Sequence, residues 1–342
     1  MSAAGTSFEA SLKIILSGRA LARVQARAAM GAVLDGRATE AQVGAFLGAL
    51  RVRGETVPEI VGFAEALRAR AKSVRVRRTP LLDTCGTGGD GAGTFNISTT
   101  VAFIAAGAGA AVAKHGNRAV SSRAGSADVL ESLGVRTDLT PDRVRRLIET
   151  IGIGFLFAPA HHPGVARVGP VRRQIGRTVF NLLGPLANPA DAPHQVLGVY
   201  AIGLARPTAE ALRALGGRSA FVVASRDGLD ELSLSAPTVV ARLSGGRVTV
   251  SEFRPEDAGL KRRPLSALKG GDAARNAAML REVLEGRPGA AREVCLLNAS
   301  AALQAAGLAR GWREGVALAA ESIDSGRALN ALTALVRGSR GR

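Results

Sequence analysis

The spacing of apolar positions along this chain changes once, near residue 75. Before that point apolar residues recur three and four apart. Val43, Phe46, Leu47 and Leu50 share one helical face behind Thr39-Glu40-Ala41-Gln42, a capping box in which side chains three apart satisfy the free donors of a helix start. Ile60, Phe63 and Leu67 repeat the pattern behind Thr56-Val57-Pro58-Glu59. No strand pattern precedes Arg75, so residues 1–72 are predicted as a helical domain. Residues 75–80 form a basic connector ended by proline, a natural domain crossing.

From Leu81 onward short apolar runs alternate with helical ones. Leu81-Leu82, 110–113, 196–200 and 220–224 read as buried strands. Thr140-Pro141 opens a helix, with Leu139 placed to staple Val144. Residues 237–250 alternate about Ser244-Gly245-Gly246 as a hairpin does, and 290–308 and 312–335 read as closing helices. Strands alternating with helices predict an α/β class with a mainly parallel sheet and ligands at strand C-terminal ends.

Composition narrows this picture. The 342 residues are 46% hydrophobic but only 4% aromatic, so the core is aliphatic. No uninterrupted apolar run reaches the ~18–20 residues of a membrane span. The N-terminal residues lack the basic–apolar–cleavage order of a signal peptide, which points to a cytoplasmic protein with no membrane partner. Cys85 and Cys295 have no metal-ligand spacing. Two reduced, buried thiols are the simplest reading, and the count alone also allows a disulfide.

The net charge is +17, and only five of the 45 basic residues are lysine. Such an excess attracts polyanions, whether small substrates or nucleic acid. The arginines are scattered, and Tyr200 and Trp312 are the only Tyr and Trp, which leaves no platform for stacking bases. No specific nucleic-acid partner is expected.

The chemistry concentrates in three segments. Asp83-Thr84-Cys85-Gly86-Thr87-Gly88-Gly89-Asp90-Gly91-Ala92-Gly93-Thr94-Phe95-Asn96-Ile97-Ser98-Thr99 lies between a strand and a helix. Its glycines let backbone N–H groups close on a ligand, and Asn96, Ser98 and Thr99 add oxygens at the helix start. It is neither G-x-x-x-x-G-K-[ST] nor a plain G-x-G-x-x-G turn. One helix later, Lys114-His115-Gly116-Asn117-Arg118-Ala119-Val120-Ser121-Ser122, in a loop that runs to Asp128, carries two cations, an amide and hydroxyls towards a helical run with Val129, Leu130 and Leu133. That donor density suits a ligand with several phosphates. Third, Asp230-Glu231 follow a strand and a turn. Carboxylates beside phosphate oxygens suit Mg²⁺.

These segments resemble the anthranilate phosphoribosyltransferase family. The similarity continues through Phe155-Leu156-Phe157-Ala158-Pro159, Gly169-Pro170-Val171-Arg172-Arg173, Phe180-Asn181-Leu182-Leu183-Gly184-Pro185, Asp227-Gly228-Leu229-Asp230-Glu231 and Gly270-Gly271-Asp272-Ala273-Ala274-Arg275-Asn276-Ala277. It spans nearly the whole chain in order. The resemblance implies a small α-helical domain, 1–72 with 168–193 returning to it, and a larger α/β domain, 73–167 and 194–342. It implies a homodimer formed through the helical domain. The implied reaction moves the phosphoribosyl group of phosphoribosyl pyrophosphate (PRPP) to the amine of anthranilate, a step of tryptophan biosynthesis.

By the same resemblance PRPP is held by Gly86, Gly89, Asp90, Thr94, Asn96, Ile97, Ser98, Thr99, Lys114, His115, Gly116, Asn117, Arg118, Ser121, Ser122 and Ser126. Gly86, Asn117 and Arg172 hold anthranilate, and Ser98, Asp230 and Glu231 hold two Mg²⁺ ions. His115 is the candidate catalytic base, with a pocket-shaping role as the alternative. Of the other histidines, His161, His162 and His194 are placed in loops by their neighbours, and His161 is the one that would line the channel for the aromatic acid. The chain departs from the family pattern mildly at Arg123 and Ala124, where Lys and Ser are frequent, and more at Gly176-Arg177-Thr178, one residue shorter than the usual Gly-x-Arg-Thr. Within a helix that deletion would turn the following face by about 100°. Two other readings remain: a pyrimidine nucleoside phosphorylase, which would not need the metal pair, and a nucleic-acid-binding paralogue of the same fold.

Overall fold

The computed structural model describes residues 7–119 and 123–341. Four helices come first: α1 (Phe8–Leu16), α2 (Arg23–Leu34), α3 (Glu40–Arg53) and α4 (Val57–Arg68). The Thr39 box closes as expected, with Thr39 Oγ1 accepting from Gln42 N and Gln42 Oε1 from Thr39 N. Phe46 and Phe63 meet edge to face at 5.8 Å in the middle of this bundle.

The α/β part holds β1 (Leu81–Gly86), β2 (Ala111–Gly116), β3 (Ile153–Phe157), β4 (His194–Gly198), β5 (Ser219–Ser225), β6 (Thr238–Ser244) and β7 (Arg247–Phe253). Among the described residues they form one seven-stranded sheet in the order β3-β2-β1-β4-β5-β6-β7. The first five strands are parallel and the last two pair antiparallel. Gly245 and Gly246, both with positive φ, make the tight turn between β6 and β7. α5 (Ile97–Gly107), α6 (Ser126–Ser132) and α7 (Pro141–Ile151) connect the first three strands.

After β3 come a short α8 (Ala158–His161), α9 (Gly169–Ile175) and α10 (Phe180–Leu186). Val171, Phe180 and Leu183 share a hydrophobic cluster with Phe46, Leu50 and Phe63, so this segment packs on the N-terminal helices. α11 (Ala205–Ala214) links β4 to β5, and α12 (Ala273–Leu284), α13 (Ala290–Ala305), α14 (Trp312–Asp324) and α15 (Arg327–Arg340) close the chain. α13 is the buried centre of the second cluster, against α5 and the sheet.

Three sequence expectations change. The 312–335 run is two helices, broken where Gly326 turns left-handed (φ 76°). β2 does not end at Ala113 but continues to Gly116, because β3 pairs with it through Lys114 and His115. His194 opens β4 and His161 closes α8, rather than lying in loops. Both cysteines are free and buried.

Candidate active site

The strand order reverses between β1 and β4, and open α/β sheets bind ligands at such a switch point. Gly86 and Gly198 end these two strands side by side. Gly198 leaves no room for a side chain, and at Gly86 a Cβ would push the Asp230 carboxylate aside. A Cβ on Gly198 would lie 1.5 Å from the Asp230 carbonyl oxygen, and one on Gly86 would lie 2.8 Å from Asp230 Oδ2. The glycines thus let the loop after β5 cross the strand ends.

That crossing puts both carboxylates on the glycine loop. Gly88 N donates to Asp230 Oδ2 at 2.9 Å, and Ser98 N, in the first turn of α5, donates to Glu231 Oε1 at 3.2 Å. Burial, and then the neighbouring Asp90 carboxylate, push Asp230 up to about 7. Burial, and then Asp230, hold Glu231 well above the usual carboxylate range, against the pull of Lys114. Three acids crowd one end of the cleft without enough positive charge.

A divalent cation bound here would offset this charge. Among the described residues no three His, Cys, Asp or Glu side chains cluster as a self-sufficient metal cage. Mg²⁺ does not require one, since it binds through one or two carboxylates and completes its shell with phosphate and water oxygens. The oxygen-only set of Asp230, Glu231 and the Ser98 hydroxyl fits Mg²⁺.

The expected PRPP residues divide into two groups. Gly89, Asp90, Thr94 and Asn117 lie on the loops after β1 and β2, Gly86 and Gly116 end those strands, and Ser98 and Ser126 lie in the first turns of α5 and α6. Asn117 is exposed, and its carbonyl accepts from Ala127 N and Ser126 Oγ. Ile97 and Thr99 instead face the core, at 2% and 1% exposure. Lys114 also turns inward: it is 4% exposed and donates to the Thr84 carbonyl, because it is a strand residue on the α5 side of the sheet. Arg118 is exposed but paired with Glu131 and Asp128. The second loop therefore presents less free positive charge than its composition suggests. Ser121 and Ser122 lie outside the described residues.

The other face of β2 meets the helical segment. His115 Nδ1 lies 3.0 Å from the Gly184 carbonyl of α10, and the His115 and His162 rings are 5.2 Å apart. A carbonyl only accepts, so Nδ1 carries the proton and Nε2 is a bare acceptor. Nε2 is buried without a partner. Burial, then His162 and His161, hold His115 well below the usual histidine range, and burial takes His162 to about 4. Arg172 Nε is buried and unpartnered too, and its guanidinium lies 5.2 Å from the Phe180 ring. Phe180 and Gly184 are one turn apart on α10, so Arg172 and His115 border the same helix. Arg172 as a whole is half-buried, and among the described residues no carboxylate pairs with it, so its guanidinium can accept a carboxylate partner.

The shortened stretch falls between α9 and α10, where Gly176 takes φ 76° and ends α9. It lies after Arg172, so the face carrying Arg172 keeps its phase. The connector sends Arg177 to the Gly89 carbonyl and over Tyr200. Arg177, Tyr200 and His162 carry no motif that marks them in the sequence. Tyr200 being the only tyrosine, at a strand end, was the available signal.

The comparisons with known proteins agree with this geometry. Residues 78–329 match the model of the "Glycosyl transferase family, a/b domain", and residues 10–71 match its "helical bundle domain". An anthranilate phosphoribosyltransferase of Symbiobacterium thermophilum is 54% identical over 95% of both chains. This chain belongs to the anthranilate phosphoribosyltransferase family. The family enzyme of Thermus thermophilus superposes with a TM-score of 0.92 at 46% identity, over 97% of this chain and 99% of that one. The Saccharomyces cerevisiae enzyme, solved with PRPP and Mg, gives 0.88 at 30% identity over 98% of each chain. Among the described residues no helix is long and apolar enough to cross a membrane.

Proposed function

We propose that this chain transfers the phosphoribosyl group of PRPP to the amine of anthranilate, releasing pyrophosphate, in tryptophan biosynthesis. The observation that carries the reading is the convergence of Asp230 and Glu231 on the glycine loop at the sheet's switch point. The yeast relative solved with PRPP and Mg, and the same enzyme solved with 4-fluoroanthranilate, support both substrates and the ion.

Displacement at an anomeric carbon passes through an oxocarbenium-like state, which needs alignment and a stabilised leaving group rather than a covalent nucleophile. The backbone of residues 86–93, with Asp90, Thr94 and Ser98, holds the pyrophosphate end. Gly116, Asn117, Ser121, Ser122 and Ser126 hold the remainder. Asp230, Glu231 and Ser98 would hold Mg²⁺, as two ions, and Mg²⁺ when bound offsets the charge that grows on the departing pyrophosphate. Arg172 pairs with the anthranilate carboxylate, with Gly86 and Asn117 beside the ring. His115, kept neutral with Nε2 as acceptor, is the candidate to receive the amine's proton, with shaping of the pocket as the alternative that its burial and lowered basicity favour.

The domain division we favour is a helical domain, 1–72 with 168–193, and an α/β domain, 73–167 with 194–342. In our reading the protein is a cytoplasmic homodimer joined through the helical domain. Pyrophosphate release that requires PRPP, anthranilate and Mg²⁺ together supports the assignment. Release without anthranilate, or undiminished in EDTA, counts against it.

A further inference from the structure

The segment Gly270-Gly271-Asp272…Asn276 lies far along the chain from both ligand loops, yet it is built into them. Phe95 N donates to the Leu268 carbonyl, Thr94 bridges to Lys269, and Gly270 N donates to the Gly93 carbonyl at 2.9 Å. Gly270 has no room for a side chain, since a Cβ there would lie 2.6 Å from Asn276 Oδ1 and 2.8 Å from Phe95 N.

At the centre of this seam is Asn276, an amide at 2% exposure. Its Oδ1 accepts from Gly271 N at 2.7 Å, which fixes the polarity of the whole group. Nδ2 then donates to Asn96 Oδ1 at 2.9 Å. Asn96 in turn has only its Nδ2 to offer, and it donates to the Ala124 carbonyl at 3.3 Å. Each link runs donor to acceptor, and reversing one reverses all. Asn96 also anchors α5, its carbonyl accepting from Thr100 N and Oγ1. One buried amide thus sets the orientation of a second, and the second ties the first loop to the second loop.

We propose that Asn276 is a positioning residue for the PRPP cradle, setting the spacing of the two ligand loops through Asn96. This rests on the reading that those loops hold PRPP. It also gives Asn96 a second task beside ligand contact: each end of its amide makes one bond within the protein, and a primary amide has a second N–H and a second lone pair beyond these.

The test is steady-state kinetics with both substrates varied, on the intact enzyme with Mg²⁺, for Asn276→Ala, Asn96→Ala and the double variant. Losing a buried hydrogen-bond partner should raise KM for PRPP roughly 10- to 100-fold, with kcat within about threefold and KM for anthranilate unchanged. The two alanine variants act on one chain of bonds, so the double variant should be no worse than the worse single one. Asn276→Asp keeps the acceptor for Gly271 N but faces Asn96 Oδ1 with oxygen, so it should fold and still bind PRPP poorly. Unchanged KM for PRPP in Asn276→Ala or Asn276→Asp, or multiplying effects in the double variant, overturns the proposal. Calorimetric titration of PRPP with Mg²⁺ into the wild type separates the two ideas: no binding there rejects the cradle itself, whereas tight binding that Asn276→Asp leaves unaltered rejects only the role of Asn276.

Discussion

The guanidinium of Arg177 lies 4.2 Å over the ring of Tyr200 and donates to the carbonyl of Gly89. Tyr200 N donates to Thr87 Oγ1, and Thr87 N to the Gly198 carbonyl. The α9–α10 connector, the glycine loop and the exit of β4 are therefore one linked unit. The space a Cβ on Gly89 would need is bounded by Arg177 Nε at 3.3 Å, and Gly89 has φ 76°.

Arg177→Ala should loosen the glycine loop. An exposed cation–π contact and one hydrogen bond together are worth about 1–2 kcal/mol, so KM for PRPP should rise roughly 5- to 30-fold with thermal stability little changed. Arg177→Lys keeps the charge but not the planar stack, and should recover only part of the loss. Initial-rate measurements on both variants check this.

Arg172→Ala should weaken anthranilate instead. Removing one partner of a charge-assisted hydrogen bond at a buried site costs about 1.5–3 kcal/mol, which raises KM for anthranilate roughly 10- to 100-fold. KM for PRPP should hold. The opposite split would place Arg172 on the phosphate side.

Gly198→Ala tests the crossing of the Asp230 loop. Its Cβ would meet backbone at 1.5 Å, so the loop must move and carry both carboxylates with it. Severe loss of Mg²⁺-dependent turnover is expected. Gly203, with nothing within 4 Å of its Cβ position, is the control, and Gly203→Ala should be close to wild type. Both are read by activity against Mg²⁺ concentration and by circular dichroism.

Acid should destabilise the protein through the histidine cluster. His162 is held at about 4 when folded but has the ordinary value near 6.5 when unfolded. The unfolded chain therefore binds more protons between these values, and stability contributed by the neutral ring falls as pH drops from 6.5 towards 4. The full difference is roughly 3 kcal/mol. Chemical denaturation of wild type and His162→Gln across this range should converge as pH falls, with the variant losing less.

The features legible in the sequence are local ones. The Thr39 box, the Gly245-Gly246 turn and the glycine loop each announce themselves within a few residues, because capping and turn chemistry is short-range. Asp230-Glu231 could be marked as candidates, but their contacts with Gly88 and Ser98 bridge more than 130 positions. Lys114 looks like a loop cation in the sequence because its run of small residues gives no sign that pairing with β3 extends β2 to Gly116. Its burial follows from that pairing. Asn276 was visible only as part of a family-like segment, since an amide's task depends on what faces it.

The most direct test of the whole account is the loss of anthranilate fluorescence on adding this protein with PRPP and Mg²⁺. The account predicts a steady decrease that stops in EDTA, resumes with excess Mg²⁺, and is abolished by Asp230→Ala with Glu231→Ala in a folded variant. Constant fluorescence from folded wild-type protein with all three components present would contradict it.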